Sequence, residues 1–251
     1  MKKSPKTTPT VGVIAAMPEE IRHLRTALQE ESQATHAGID FYAGHLPFDA
    51  GQQTPVVLAQ SGIGKVNAAL TTQLMIDRYG VNLIINTGSA GGLADKQCIG
   101  DFVLANRLCH HDIDVTLLGL LPGELPGLPR YYPVKPRYVK LLDTLAREQG
   151  IPHHIGTIAT GESFIYKPEQ VAYIKRHFDQ VVACEMEAAA VAQVAFLNRV
   201  DAVVIRGLSD IAGHQAEVNF EKYLDLASRR SSQLVSAFVA RVSGHHCLEV
   251  E

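Results

Sequence analysis

The chain has 251 residues, 46% of them hydrophobic and 20% charged, enough apolar material for one large core and an ordinary globular composition. Its 23 basic and 26 acidic side chains give a formal net charge of −3, with no tryptophan, so it lacks the basic footprint of a nucleic-acid binder. No apolar run reaches the roughly 18 residues that a membrane span needs. Neither nucleic acid nor membrane is expected as a partner.

In chain order, residues 1–10 are polar and basic with no apolar stretch, and read as a disordered lead-in rather than a signal peptide. Val11–Ala16 is a short buried strand. Glu19 to about Leu28 carries Ile21, Leu24 and Leu28 at helical spacing, and Glu19 is an acid favoured by the helix dipole in a first turn. Phe41–Leu46 and Val56–Gln60 are strands, and Lys65–Arg78 is a helix. Val81–Asn86 is a buried strand, which Thr87–Gly92 follows as a tight loop. Asp101–Leu108 is a further strand. Residues 117–135 are rich in proline and glycine and lack periodicity, which marks a long irregular loop of the kind that is usually functional.

Tyr138–Glu148 then reads as a helix, Ile155–Thr160 as a strand, and Pro168–His177 as a helix opened by proline. Val181–Cys184 is a strand, Ala188–Phe196 a helix, Ala202–Leu208 a strand, and Phe220 to about Val242 the last helix. This alternation predicts an α/β fold with a largely parallel or mixed sheet. One domain spans 11–242, with a tail over 243–251. Cys98, Cys109, Cys184 and Cys247 lack Cys-x-x-Cys spacing and read as free thiols in a reducing cytoplasm.

The most informative stretch is Val181–Ala190. An apolar strand ends in Glu185 and Glu187, separated by Met186, and an alanine-rich helix begins at once. Ligands of open α/β sheets bind at such strand ends, and acids placed there are expensive to desolvate, which suggests chemistry. Arg206 lies inside an apolar strand and needs a carboxylate partner; Glu185 or Glu187 can supply it. Asp210, after Ser209, is a turn or cap former that also sits at a strand end.

Thr87–Gly92 and Ser61–Lys65 are small-residue turns that admit a backbone close to a ligand. Neither is a dinucleotide fingerprint or a Walker loop. His110 and His111 are adjacent on an extended segment and point to opposite faces, so they cannot easily share one ion. They read as a satisfied polar turn, and no metal or cofactor is called for.

Taken together, six motifs occur in one order. They are Ala-Met-x-Glu-Glu after the first strand, Ser-Gly-Ile-Gly-Lys, Asn-Thr-Gly-Ser-Ala-Gly-Gly, His-Asp-x-Asp-Val-Thr, Glu-Met-Glu-Ala and Ser-Asp. The chain thereby closely resembles the 5′-methylthioadenosine/S-adenosylhomocysteine nucleosidases of the purine nucleoside phosphorylase superfamily. The resemblance implies a single α/β domain with a mixed central sheet flanked by helices, and a cytoplasmic homodimer acting in nucleoside catabolism and methionine salvage. It further implies hydrolysis of the N-glycosidic bond of 5′-thio-substituted adenosines, releasing adenine.

Carried over by motif, Glu20 is the base that activates water and Asp210 the acid serving adenine N7. Met186 and Glu187 hold the ribose. Phe164 stacks on adenine, Ile165 binds its edge through the backbone, Ser89 and Gly91 line the site, and Phe220 covers the ribose side. The loop around Leu118–Pro126 is the part that reaches the partner's active site. Glu185 is then left as the structural partner of a buried cation, with Arg206 first in line.

The chain departs from the family pattern in places. Pro18 stands where an acid is common, Glu162 where Asp is common, and Leu118 and Leu120 where aromatics are typical; Pro126 matches. These changes fall around the pocket for the 5′-substituent. A carboxylate near the first strand repels phosphate and favours a hydrolase over a phosphorylase. A purine nucleoside phosphorylase, a hydrolase of another adenine nucleoside (aminodeoxyfutalosine or 5′-deoxyadenosine) and a nucleoside-binding module without turnover remain the alternatives.

Overall fold

All five residues of β1 (Val11–Ala15) are buried, and the two-residue period of a strand divides their side chains between two faces. Val11, Val13 and Ala15 enter one apolar core, whereas Ile14 enters another. The sheet is therefore covered on both sides. The computed structural model describes residues 9–48, 52–213 and 220–244. Most of the expected lead-in (1–8), most of the tail (245–251) and Cys247 lie outside the described residues.

After β1 come α1 (Pro18–Ala27), β2 (Gln29–His36), β3 (Ile39–Phe48), β4 (Gln52–Gln60), α2 (Lys65–Tyr79), β5 (Leu83–Gly92) and β6 (Phe102–His110). A short 3-10 turn at Thr116–Leu118 leads to β7 (Tyr132–Pro133), α3 (Pro136–Glu148), β8 (His153–Thr160), α4 (Pro168–His177), β9 (Val181–Glu185), α5 (Ala188–Leu197), β10 (Asp201–Ile211) and α6 (Phe220–Gly244). One core packs α1, α3 and α6 against the sheet through residues such as Leu24, Leu142 and Phe238. The other uses Met75 of α2 and Val191 of α5. Helix α5 supplies alanines to both cores, and these small side chains let it sit deep between neighbours.

The sheet is mixed. β2, β3 and β4 form an antiparallel meander; β4, β1, β5 and β10 then run parallel. β10 pairs antiparallel with β6, β6 parallel with β8, and β8 parallel with β9. β9 returns antiparallel to β5, so five strands close on themselves.

That closure creates a fork. Along one edge of β5, Leu83–Asn86 pair with β1 and Gly91–Gly92 pair with β9. Among the described residues, Thr87–Ala90 have no strand partner on that edge, although β10 follows β5 along its other side. A cavity opens in this gap.

The structure corrects two expectations and adds a strand. Thr87–Gly92 is not a tight loop but the continuation of β5, because β10 supplies a ladder over its whole length. β2 was not expected: its residues are almost all exposed and polar, and only pairing with β3 at the sheet edge holds them extended. The His110–His111 segment is not a satisfied polar turn. His110 ends β6, both rings are buried, and His110 Nδ1 and His111 Nε2 have no hydrogen-bond partner. Burial holds both histidines below their ordinary pKa, so neutral rings suit the site. Among the described residues no group of His, Cys, Asp or Glu could hold a metal ion.

Candidate active site

The fork is lined by residues from the ends of β1, β5, β9 and β10 and from the segment before α4. Glu20, Ser89, Gly91, Phe164, Ile165, Met186, Glu187 and Asp210 all line one cavity. Ala16, Ile63, Ser163, Cys184 and Ser209 line it as well, although the sequence assigned none of them a place in the site; small or apolar residues carry no chemical signature, and only the topology gathers them.

Glu20 is buried in the first turn of α1. Its Oε2 accepts the N–H groups of Ala16 and Met17, each at 3.0 Å. Its Oε1 accepts the Ser89 N–H at 2.9 Å and the Ser89 hydroxyl at 3.1 Å. The carboxylate thus bridges the diverging ends of β1 and β5. Glu19, by contrast, is exposed, as a residue of purely local helix-end value should be.

Gly88 makes this approach possible. It has φ +149, and a Cβ there would lie 2.6 Å from Arg206 Nη1 and 2.7 Å from Glu20 Oε1.

Arg206 is 1% exposed. Its Nη2 donates to Glu185, to Asn86 Oδ1 at 2.6 Å and to Glu187 Oε2 at 3.3 Å. Glu185 also accepts from the Thr160 hydroxyl and from the N–H groups of Glu187 (2.9 Å) and Ala188 (2.8 Å). It therefore neutralises the buried cation and caps α5, the structural role expected of it. Glu187 shares the cation more weakly. Its Oε1 accepts the Gly64 N–H at 2.9 Å, which ties it to the turn before α2.

Burial raises the Glu187 carboxyl to about 7; Arg206 opposes that rise, Glu185 adds to it, and the Gly64 N–H counters it. Asp210 is 2% exposed. Burial holds its carboxyl above the usual range, against the Ser209 hydroxyl, which donates to Oδ1 at 2.8 Å. A Cβ on Gly91 would come within 3.0 Å of Asp210 Oδ2, so the missing side chain leaves room for a ligand at that oxygen. The site therefore offers two carboxyls inclined to hold protons and a third already engaged by backbone donors. Such divergent environments are how neighbouring acids take different roles.

Two of the expected residues lie elsewhere. Leu118 and Pro126 are exposed and line no part of this cavity. Phe220 begins α6, but its side chain lies outside the described residues.

Comparison with known proteins fits this geometry. Residues 10–240 match the phosphorylase superfamily. The 5′-methylthioadenosine/S-adenosylhomocysteine nucleosidase of Oceanobacillus iheyensis is 40% identical, over 93% of this chain and 100% of its own. The crystal structure of the nucleosidase of that name from Neisseria meningitidis, in complex with methylthio-immucillin-A, superposes with a TM-score of 0.88 at 38% identity, covering 93% of this chain and 99% of that one. The futalosine hydrolase of Helicobacter pylori is also similar, with a TM-score of 0.86 at 28% identity over 93% of this chain and 98% of its own. The chain belongs to the phosphorylase superfamily and, within it, to the 5′-methylthioadenosine/S-adenosylhomocysteine nucleosidases.

Proposed function

We propose that the cavity hydrolyses the N-glycosidic bond of 5′-methylthioadenosine and S-adenosylhomocysteine, releasing adenine and the 5-thio-substituted ribose. One observation carries this reading: Glu20, Glu187 and Asp210, three buried acids, meet in one cavity. Among the described residues the only basic one in its lining, Arg206, is already held by Glu185, Glu187 and Asn86. A phosphorylase needs a cation for phosphate, whereas this arrangement suits water.

Each acid has a role that its surroundings support. Cleavage requires a better leaving group and a stabilised, oxocarbenium-like ribosyl carbon. Asp210 delivers a proton to adenine N7 as the C1′–N9 bond breaks; general-acid help of this kind is typically worth ~10²–10⁴-fold. A free Asp is almost wholly ionised at neutral pH, and burial at Asp210 acts in the required direction. Glu187 binds the ribose hydroxyls, and its ionised form, favoured by Arg206 and the Gly64 N–H against burial, places negative charge near the developing cation, with Met186 beside it. Glu20 orients the attacking water and takes its proton.

All four donors to Glu20 are in place, which fills a carboxylate's lone-pair positions. The Ser89 hydroxyl is the one donor that can rotate away, so water takes its place on Oε1. Phe164 and Ile165 hold the base, Ser89 and Gly91 shape the floor, and Phe220 closes the ribose side. No metal or cofactor takes part.

The protein acts as a homodimer, with the loop around Leu118–Pro126 reaching the partner's cavity. Exposed apolar side chains support this. Ile63, Val66 and Leu70 follow one another along the start of α2, and Leu117, Leu118 and Leu121 crowd the loop. Large apolar side chains exposed in groups are the kind that a partner surface covers. The free thiols of Cys98, Cys109 and Cys184 suit a cytoplasmic setting, where the two products feed nucleoside catabolism and methionine salvage. No helix among the described residues is long and apolar enough to cross a membrane.

The test is incubation with 5′-methylthioadenosine, with and without phosphate, and detection of free adenine. Adenine release independent of phosphate is expected; no adenine at micromolar enzyme refutes the reading. Leu118 and Leu120, in place of the usual aromatics, favour a second reading in which another 5′-group is preferred, so the assay extends to futalosine-type nucleosides and 5′-deoxyadenosine.

A further inference from the structure

Two consecutive backbone donors at the start of α2 point to different parts of the site. The Gly64 N–H donates to Glu187 Oε1 at 2.9 Å, and the Lys65 N–H donates to Glu162 Oε1 at 2.8 Å. Glu162 precedes Phe164 by two residues in the segment between β8 and α4. Its own N–H donates to Asp112 Oδ2 at 2.8 Å, and Asp112 Oδ1 accepts Lys65 Nζ at 2.7 Å. Lys65, Asp112 and Glu162 therefore form a closed ring joining three segments distant in sequence. Gly64 permits it: a Cβ there would lie 2.7 Å from Glu162 Oε2.

A local cap would be the ordinary way to satisfy these donors. Here Gly64 is the N-cap and offers no side chain, while the first N–H groups of a helix need acceptors and favour negative charge. The acceptors come instead from Glu187, which lines the cavity, and from the exposed Glu162, which directly precedes the cavity-lining segment Ser163–Ile165. The turn holds the two carboxylates at a fixed separation. One belongs to the sugar side, and the other is carried by the segment that presents Phe164 and Ile165 to the base.

We propose that Glu162 is a positioning residue that couples the base-holding segment to the ribose-holding acid. The proposal rests on the nucleosidase reading for the names of the two subsites. A merely structural cap would lower stability when removed but would leave binding of the base alone unchanged. A coupling residue affects the geometry of both subsites at once.

The experiment compares wild type, Glu162→Ala and Glu162→Gln by amide hydrogen exchange, by calorimetric titration with adenine, and by steady-state turnover of 5′-methylthioadenosine. In Glu162→Ala, residues 61–66 and 161–167 exchange faster together. Adenine Kd rises and kcat falls, each by at least about threefold, the loss expected for one solvent-exposed charge-assisted hydrogen bond. Glu162→Gln keeps an acceptor for the Lys65 N–H and stays within about threefold of wild type, as a surviving neutral hydrogen bond allows.

A lower melting temperature with unchanged adenine Kd and unchanged exchange in residues 161–167 overturns the proposal. Should Glu162→Ala fail to fold, Asp112→Asn replaces it: faster exchange in both segments supports the coupling and unchanged exchange overturns it. Failure of the wild type to release adenine from the nucleoside would sink the functional reading alone, because the exchange measurement needs no turnover.

Discussion

Replacing Glu185 with alanine should damage the fold more than replacing Glu187, two residues away. The Glu185 carboxylate receives the Thr160 hydroxyl, the Glu187 and Ala188 N–H groups and Arg206 Nη2. Glu185→Ala leaves a guanidinium that is 1% exposed with Asn86 and the more distant Glu187 as its remaining side-chain acceptors. It also strands two backbone donors at the start of α5.

Removing one partner of a buried ion pair costs about 3–5 kcal/mol, and the unsatisfied N–H groups push the loss towards the upper end. At about 2–4 °C per kcal/mol for a domain of this size, the melting temperature falls by roughly 10–20 °C. Glu187→Ala removes the Gly64 contact and the 3.3 Å Arg206 contact, and it also removes a carboxyl whose charged form is disfavoured by burial. Its shift should be less than half as large, with turnover abolished. Thermal unfolding followed by circular dichroism at pH 7 and one protein concentration measures both. The reasoning fails if Glu185→Ala melts within about 2 °C of wild type, or if Glu187→Ala melts below Glu185→Ala.

Further predictions follow from the same geometry. Gly88→Ala forces a side chain against Arg206 and Glu20 at a positive φ; such strain costs on the order of 1–3 kcal/mol, and both soluble yield and melting temperature should drop. In Ser209→Ala the hydroxyl that favours ionised Asp210 is lost, so the alkaline fall in the single-turnover rate should move to higher pH, by up to about one unit; movement to lower pH excludes Asp210 as the proton donor.

The Glu187 carboxyl is raised from 4.5 to about 7 in the folded protein, so the native state binds more protons between those values and wild-type stability declines as pH rises through them. Glu187→Gln lacks that titration. Its urea midpoint should therefore gain on wild type between about pH 5 and pH 8, and a constant difference would show that Glu187 does not titrate there.

Much of the site was legible because charges in apolar strands are rare. Arg206 within β10 demanded a buried acid, and Glu185 is that acid. Glu187 and Asp210 stood at strand ends, where the topology does place the cavity. The sequence could not reveal which backbone groups serve these acids, since the Gly64–Glu187 and Ser89–Glu20 contacts span distant segments.

Helices such as Pro168–His177 were legible to the residue, through a proline start and an apolar stripe. β2 was invisible because a polar edge strand takes its conformation from its neighbour rather than from its own pattern. The extent of β5 was obscured by Gly88, Gly91 and Gly92. Glycine reads as a turn when alone, but here it leaves space beside Arg206, Asp210 and Gln97 within a paired strand.

The carboxylate of Glu20 completes hydrogen bonding where two strands part, taking donors from the end of β1 and from Ser89. Active-site groups are commonly held at the expense of stability, so that their removal yields sturdier, inactive proteins. In the role proposed for it, Glu20 is different. Any loss of Glu20 would leave backbone N–H groups unpaired in the interior, so selection for function and selection for folding act on the same side chain. A search for stabilised inactive variants should return substitutions at Asp210 before any at Glu20.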